Sequence, residues 1–396
     1  MNTPSSQPGL PSAGPPVLSE MLAAILMGGL GVTVIVSMPL LGPLFGHHFG
    51  VVGADIGIVS LANLLGTAAG SLFVTIRLDR LPWRRTSLVA AVLALTAQLL
   101  VAAMPGFAAA AVLETVTGLA AGVLLALSSA IVGQAGQSDR GFAFILALQA
   151  VVAVGCLVGL PVVAERAGAP VAFAAVALPF LAIVPAAFLL RPAANRHPAG
   201  PDAPSGGGWN RGVLALVTAH FLFSASVGIL WTFSAVLGGM SGLADISMGL
   251  SLAVGNVAAL FGSLAAAAIN LRYGRILPLG IVSLLLLVSA ALFATETDMM
   301  RFNLACALYL LAWGGGMPFF MGAVSQFDRG DRITALLPVL AFAGMAAGPA
   351  IVVMMPGMNL FQAVAWATAA LAILAFALIA SVSLGPRTKG RGEPAQ

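Results

Sequence analysis

Long apolar runs separated by short polar interruptions fill nearly the whole chain. A hydrocarbon core about 30 Å thick takes roughly 20 residues of helix per crossing. That ruler finds twelve candidate spans, at 19–46, 54–77, 85–105, 107–136, 140–164, 169–190, 212–238, 246–271, 275–295, 299–326, 332–355 and 358–384. Several exceed the minimum, which allows tilt. The one long polar stretch, 191–211, is rich in Pro and Gly, has no apolar periodicity, and reads as a flexible linker. It divides the chain into an N-terminal six-helix bundle (18–190) and a C-terminal one (212–384), with a Pro-rich disordered tail at 1–17 and a basic tail at 385–396. The predicted fold class is an all-α integral membrane protein. The N-terminal tail lacks the basic region of a signal peptide, so the first span is expected to be retained.

Composition sharpens this reading. Apolar residues make up 60% of the 396, charged residues only 8%, and the mean hydropathy is +1.05. A soluble domain has about 25% charged residues, so most of this surface must face acyl chains. The net charge of +4 does not signal a nucleic-acid partner, because the basic residues lie in short clusters between apolar runs. With both termini inside, fifteen of the seventeen Lys and Arg fall on the cytoplasmic side, leaving only Arg166 and Arg301 outside. That bias fixes the orientation and requires an even number of spans. It implies a multi-pass protein of the cytoplasmic (inner) membrane, with the bilayer as its first partner. Cys156 and Cys306 sit inside apolar runs and read as small buried hydrophobes.

The chain also repeats at a shift of 192. Gly70-Ser71-Leu72 matches Gly262-Ser263-Leu264, Arg80 matches Arg272, and Asp139-Arg140 matches Asp331-Arg332. Charged matches carry weight where charges are scarce. Six spans separate the copies, so they share one orientation across the membrane.

At these residues a family resemblance becomes specific. The loop Asp79-Arg80-Leu81-Pro82-Trp83-Arg84-Arg85 resembles the acidic-basic signature of the major facilitator superfamily. Its second copy is Leu271-Arg272-Tyr273-Gly274-Arg275, with Leu271 where an acid would stand. Gly155-x-x-x-Gly159-x-Pro161 in span 5 is similar to the glycine-proline motif of that family's antiporters, and Gly344-x-x-x-Gly348-Pro349 stands at the corresponding place in span 11. Glu114 stands four residues ahead of Gly118, where those antiporters often carry Arg. The resemblance implies two six-helix bundles, transport of a small molecule by alternating access, and a monomer.

The scarce polar residues supply the candidate chemistry. Glu114 is the acid that lies well inside an apolar run, about seven positions or roughly 10 Å from the outer end of its helix. An ionised carboxylate is costly there, so it should face protein or water. A carboxyl exchanging protons between two exposures is what proton coupling requires; the plainer reading is a protonated acid bonded to a neighbouring helix. His220, inside span 7, is a second proton-coupling candidate with the same plain alternative. Gln98, Gln149, Trp231, Asn256 and Trp313 are candidate linings of a substrate cavity, each also readable as structural. Asn63 and Asn256 read first as interhelical hydrogen-bonding residues. Asp79, Arg80, Arg84, Arg85, Asp139, Arg140, Arg272 and Arg275 form a candidate cytoplasmic gate, Asp79 pairing with a loop arginine. Gly118, Gly155, Gly159, Pro161, Gly344, Gly348 and Pro349 read as helix-packing positions. His47-His48 make a weak metal site, and no metal or cofactor is expected.

No basic residue stands in the middle of a span, which argues against strongly anionic substrates. One acid among apolar and aromatic neighbours suits proton-coupled efflux of neutral, amphipathic or cationic small molecules. The alternatives are uptake of a neutral solute, such as a sugar or nucleoside, and a non-transporting membrane sensor. The phosphate-binding loop of an ATPase does not occur in the sequence, and no nucleophile constellation suggests an enzyme.

Overall fold

The structure, a computed structural model, describes residues 17–104, 106–133, 138–191, 211–269, 276–325 and 337–384. The tails and most of the expected linker therefore lie outside the described residues. Within them the chain forms helices α1 (Leu18–Leu30), α2 (Thr33–Phe49), α3 (Gly57–Arg77), α4 (Trp83–Val101), α5 (Phe107–Gly133), α6 (Ser138–Ala167), α7 (Ala169–Ala175) and α8 (Leu178–Ala187). After the linker come α9 (Arg211–Met240), α10 (Asp245–Ile269), α11 (Ile276–Leu292), α12 (Met299–Ser325), α13 (Leu337–Val353) and α14 (Leu360–Leu384). Ten helical stretches are long and apolar enough to cross a membrane, and α11 and α13 are shorter apolar helices. These twelve stretches correspond to the twelve spans read from the sequence.

Two spans are each built from two helices. The first bends between α1 and α2 at Gly31-Val32, where the Thr33 hydroxyl donates to the Leu30 carbonyl. The sixth bends between α7 and α8, and Pro179, in the first turn of α8, starts the second piece. Proline lacks the N–H that would continue the preceding turn but is preorganised to open a new helix.

The described residues divide into two compact units. The first takes residues up to 49 and from 62 to 191; the second takes residues 50–61 and from 211 onward. In the first unit α4 lies along α5, and α1 packs on α5, α6 and α8. In the second, α10 lies along α12, while α9 packs on α13 and α14. Every residue of α9 from Phe223 to Gly238 is buried.

The repeat at 192 is visible as the same backbone seam in each unit. Gly122 of α5 lies against the Thr67 carbonyl of α3, and Gly314 of α12 lies against the Ala259 carbonyl of α10. Gly70 faces the Leu119 carbonyl as Gly262 faces that of Leu311. The Ser71 hydroxyl donates to the Gly122 carbonyl at 3.1 Å, and the Ser263 hydroxyl donates to the Gly314 carbonyl at 3.0 Å. Lipid provides no hydrophobic drive between helices, so close backbone approach at small residues and hydrogen bonds hold these seams.

Candidate functional site

The first unit encloses a cluster of three polar side chains from three helices. Glu114 lies on α5, seven residues in from Phe107, and is fully buried. Gly118, one turn further on, meets the Asn63 carbonyl directly. That contact brings α3 close enough for Asn63 Nδ2 to donate to Glu114 Oε2 at 3.0 Å and to the Glu114 carbonyl at 3.2 Å. The third member comes from α4, whose buried face carries Ser87, Ala90, Ala91, Ala94, Ala97 and Gln98 between Trp83 and Val101. Small residues let that helix lie flat on α5, and the Gln98 amide comes up to the carboxyl without completing a hydrogen bond.

The cluster is short of donors. Glu114 Oε1, Asn63 Oδ1 and Gln98 Oε1 are all buried acceptors without a partner, and Gln98 Nε2 is also unpaired. Turning Gln98 Nε2 toward Glu114 Oε1 would still leave both amide oxygens empty. An ionised carboxylate only accepts, whereas a protonated one carries a donor. A proton on Glu114 thus supplies a hydrogen bond that the buried set otherwise lacks.

His220 lies in the second unit, fully buried. Its Nε2 is 3.3 Å from the Leu337 carbonyl, its ring is 5.4 Å from that of Phe320, and Nδ1 has no partner. Of the expected cavity residues, Gln98 belongs to the Glu114 cluster and has no exposed surface. Gln149 Nε2 donates to the Gly28 carbonyl at 2.9 Å, and Asn256 Nδ2 donates to Leu252 within its own helix, also at 2.9 Å. Trp313 stacks on Phe223 at 6.1 Å, and Trp231 is buried.

Much of the expected gate lies outside the described residues: Arg272, Arg275 and the side chains of Asp79, Asp139 and Arg140. Arg80 and Arg85 are exposed, and the Arg84 guanidinium lies 5.0 Å from the centre of the Phe188 ring. Gly344 and Gly348 pack against the Phe221 and Ala225 carbonyls of α9. Gly155 and Gly159 differ from the expectation of close packing. Gly155 is exposed, and no described atom lies within 4 Å of a Cβ built on either. Their spacing puts them on one face of α6, and at neither glycine does that face meet a described backbone. Pro161 and Pro349 stand inside α6 and α13.

One ion pair escaped the sequence reading. Glu20, in the first turn of α1, accepts a two-pronged hydrogen bond from Arg191, with Nε 2.9 Å from Oε1 and Nη2 2.7 Å from Oε2. The Val17 N–H caps the same carboxylate at 3.3 Å. The hydrogen bond to Glu20 holds the Arg191 guanidinium further toward its charged form. The available signal was an acid at the third position of the first helix and an arginine immediately after the sixth span.

The sequence profile of the Major Facilitator Superfamily matches residues 21–349. The chain belongs to the major facilitator superfamily. Solved structures similar to this superfamily member include the nucleoside transporter NupG, 16% identical, with 91% of this chain and 98% of that one covered at a TM-score of 0.68. A POT family transporter in complex with 5-aminolevulinic acid is 10% identical, with 92% and 96% covered at 0.75. A bacterial homolog of the human lysosomal transporter Spinster is 14% identical, with 92% and 94% covered at 0.66. At these identities the likeness is one of fold. A comparison with curated proteins finds no match. Family and fold together make this a multi-pass membrane transporter.

Proposed function

We propose that the chain is a proton-coupled secondary transporter that exports neutral, amphipathic or cationic small molecules by alternating access, with Glu114 as the proton-carrying acid. The observation that carries the coupling is the donor shortage around Glu114: one buried carboxyl, two amides, and three acceptor oxygens without partners. Binding a proton there supplies one of the missing donors; releasing it leaves a buried charge that must be relieved by rearrangement. The absence of a basic residue from the middle of any span supports the substrate class, and the span 5 resemblance to antiporters supports the direction. His220 is the second candidate acid-base group, Gln149, Trp231, Trp313 and Asn256 are candidate substrate contacts, and the loop arginines with Asp79 are the candidate gate. In this reading the protein acts as a monomer in the cytoplasmic membrane with both termini inside.

Uptake of a neutral solute is the second reading, favoured by the likeness in fold to a nucleoside transporter. Proteoliposomes with a trapped pH dye separate the readings. Cationic, neutral and zwitterionic compounds are added to wild type and to Glu114→Gln. A compound-dependent proton flux that disappears in the variant is the expected result. Flux that survives Glu114→Gln removes Glu114 from the mechanism. Opposite signs of proton and compound movement identify antiport, and equal signs identify uptake by symport.

A further inference from the structure

Glu114 has no exposed surface, so a proton reaches or leaves it only when a helix around it moves. The seam between α3 and α5 is tight from Asn63 onward. Gly118 and Gly122 lie against the Asn63 and Thr67 carbonyls, and Gly66 and Gly70 against those of Thr115 and Leu119. The turn of α3 before Asn63 is attached elsewhere. Residues 50–61 belong to the second unit, where Ser60 and Thr232 of α9 share a buried hydrogen bond of 2.7 Å and the Phe233 ring packs on Gly57. Ser60 and Asn63 lie one turn apart, about 4.5 Å along the axis, on the face that also carries Thr67 and Ser71. One helix thus holds Glu114 with one polar residue and Thr232 with the next.

We propose that Asn63 is the positioning residue through which the proton on Glu114 sets the attachment of the first turn of α3 to α9. This rests on the reading of Glu114 as the proton-carrying acid. With the proton present, the carboxyl hydroxyl donates to one of the empty amide oxygens, Asn63 keeps its place, and Ser60 keeps Thr232. When the proton leaves, the carboxylate draws donors from both amides. The turn carrying Asn63 and Ser60 shifts, the Ser60–Thr232 bond parts, and the acid gains a route to solvent.

No other titratable group competes for this role among the described residues. Burial and the two amides are what act on Glu114. Apart from the Cys156 thiol in the middle of α6, whose neighbour is Ser37, the titratable residues of the surrounding helices stand at their ends: Arg77 closes α3, Arg84 and Arg85 open α4, and Glu20 opens α1. His47 and His48 close α2, Asp139 and Arg140 open α6, Glu165 and Arg166 close it, and α5 has no second titratable residue.

The test uses the full chain in nanodiscs with the pair S60C/T232C, its internal disulfide read by mass spectrometry of the linked peptides. S60C and T232C alone control for Cys156 and Cys306. Each yield is divided by that of the same pair in the Glu114→Gln background at the same pH, which removes the intrinsic pH dependence of thiol chemistry. One linked proton changes the open-to-closed ratio by about tenfold per pH unit beyond the transition. The expected result is a relative yield that falls as pH rises, a flat profile in Asn63→Ala, and a restored slope in Asn63→Gln. Hydrogen exchange of the 57–61 amides in cysteine-unmodified protein, divided by the intrinsic exchange rate at each pH, should rise with pH over the same range in wild type and stay flat in Glu114→Gln. A slope that persists in Asn63→Ala overturns the role of Asn63 and leaves Glu114 in place. Yields that match between wild type and Glu114→Gln at every pH, with proton flux still lost in that variant, overturn the link to α9 alone. Matching yields together with intact flux remove the reading of Glu114 as well.

Discussion

Superposed by their shift of 192, the two units share a frame and differ in chemistry. Glu114, Asn63 and Gln98 of the first unit correspond to Cys306, Gly255 and Ala290 of the second. Where the first buries an acid between two amides, the second buries a thiol and leaves the helices to pack; Gly255 faces Leu310 and the Cys306 carbonyl. The reverse holds nearer the other end of the bundles. Gly28 and Ser128 of the first unit, in contact with each other, correspond to His220 and Phe320, whose rings pack together in the second. Ile145, beside Gly28, corresponds to Leu337, whose carbonyl His220 approaches. The glycine seams are common to both units because they fix how closely two backbones lie. The side chains beside them are free to differ: the carboxyl of Glu114 has a thiol as its counterpart, and the imidazole of His220 has a glycine.

The strongest test of the common frame is a paired substitution. Gly122→Ala and Gly314→Ala each drive a methyl into a backbone carbonyl that cannot swing aside. Each should cost about 1–3 kcal/mol or more, seen as a loss of folded yield and a lower unfolding temperature in detergent. A large effect in one unit and none in the other would break the equivalence. Next comes the difference in chemistry. Glu114→Gln should abolish proton flux in vesicles while Cys306→Ala leaves it unchanged, and a loss of flux in both would mean that the second unit also carries the coupling. Glu20→Ala should lower the unfolding temperature by less than either seam variant, because the Arg191 side chain is 41% exposed and solvent already screens it. The smallest effect should be at Gly155→Ala, where a methyl enters open space; a clear change in unfolding temperature there would reveal a packing partner.

The spans were legible because an apolar run measures its own bilayer, and the bends of the first and sixth spans had local signals in Gly31 and Pro179. Asn63, Gln98 and Glu114 could each be picked out as polar residues in apolar surroundings. Their meeting could not, since Asn63 and Glu114 lie 51 residues apart and only the register of three packed helices brings them together. Read alone, Gln98 fits a cavity lining equally well. Gly155 and Gly159 show the converse limit. Their four-residue spacing defines a face of α6, but spacing alone does not say whether that face meets a backbone. The Glu20 pair has no local signal, because its partner is the first residue of the expected linker, 171 positions away.

That separation has a consequence for the birth of the molecule. Synthesis at about 5–20 residues per second leaves Glu20 in the membrane without its arginine for roughly 10 to 30 s, while five more spans are threaded in behind it. The carboxylate at the head of the first helix therefore acts as a placeholder during insertion. The first bundle can close its ring only when residue 191 has left the ribosome, so its completion is timed by the polypeptide's own length.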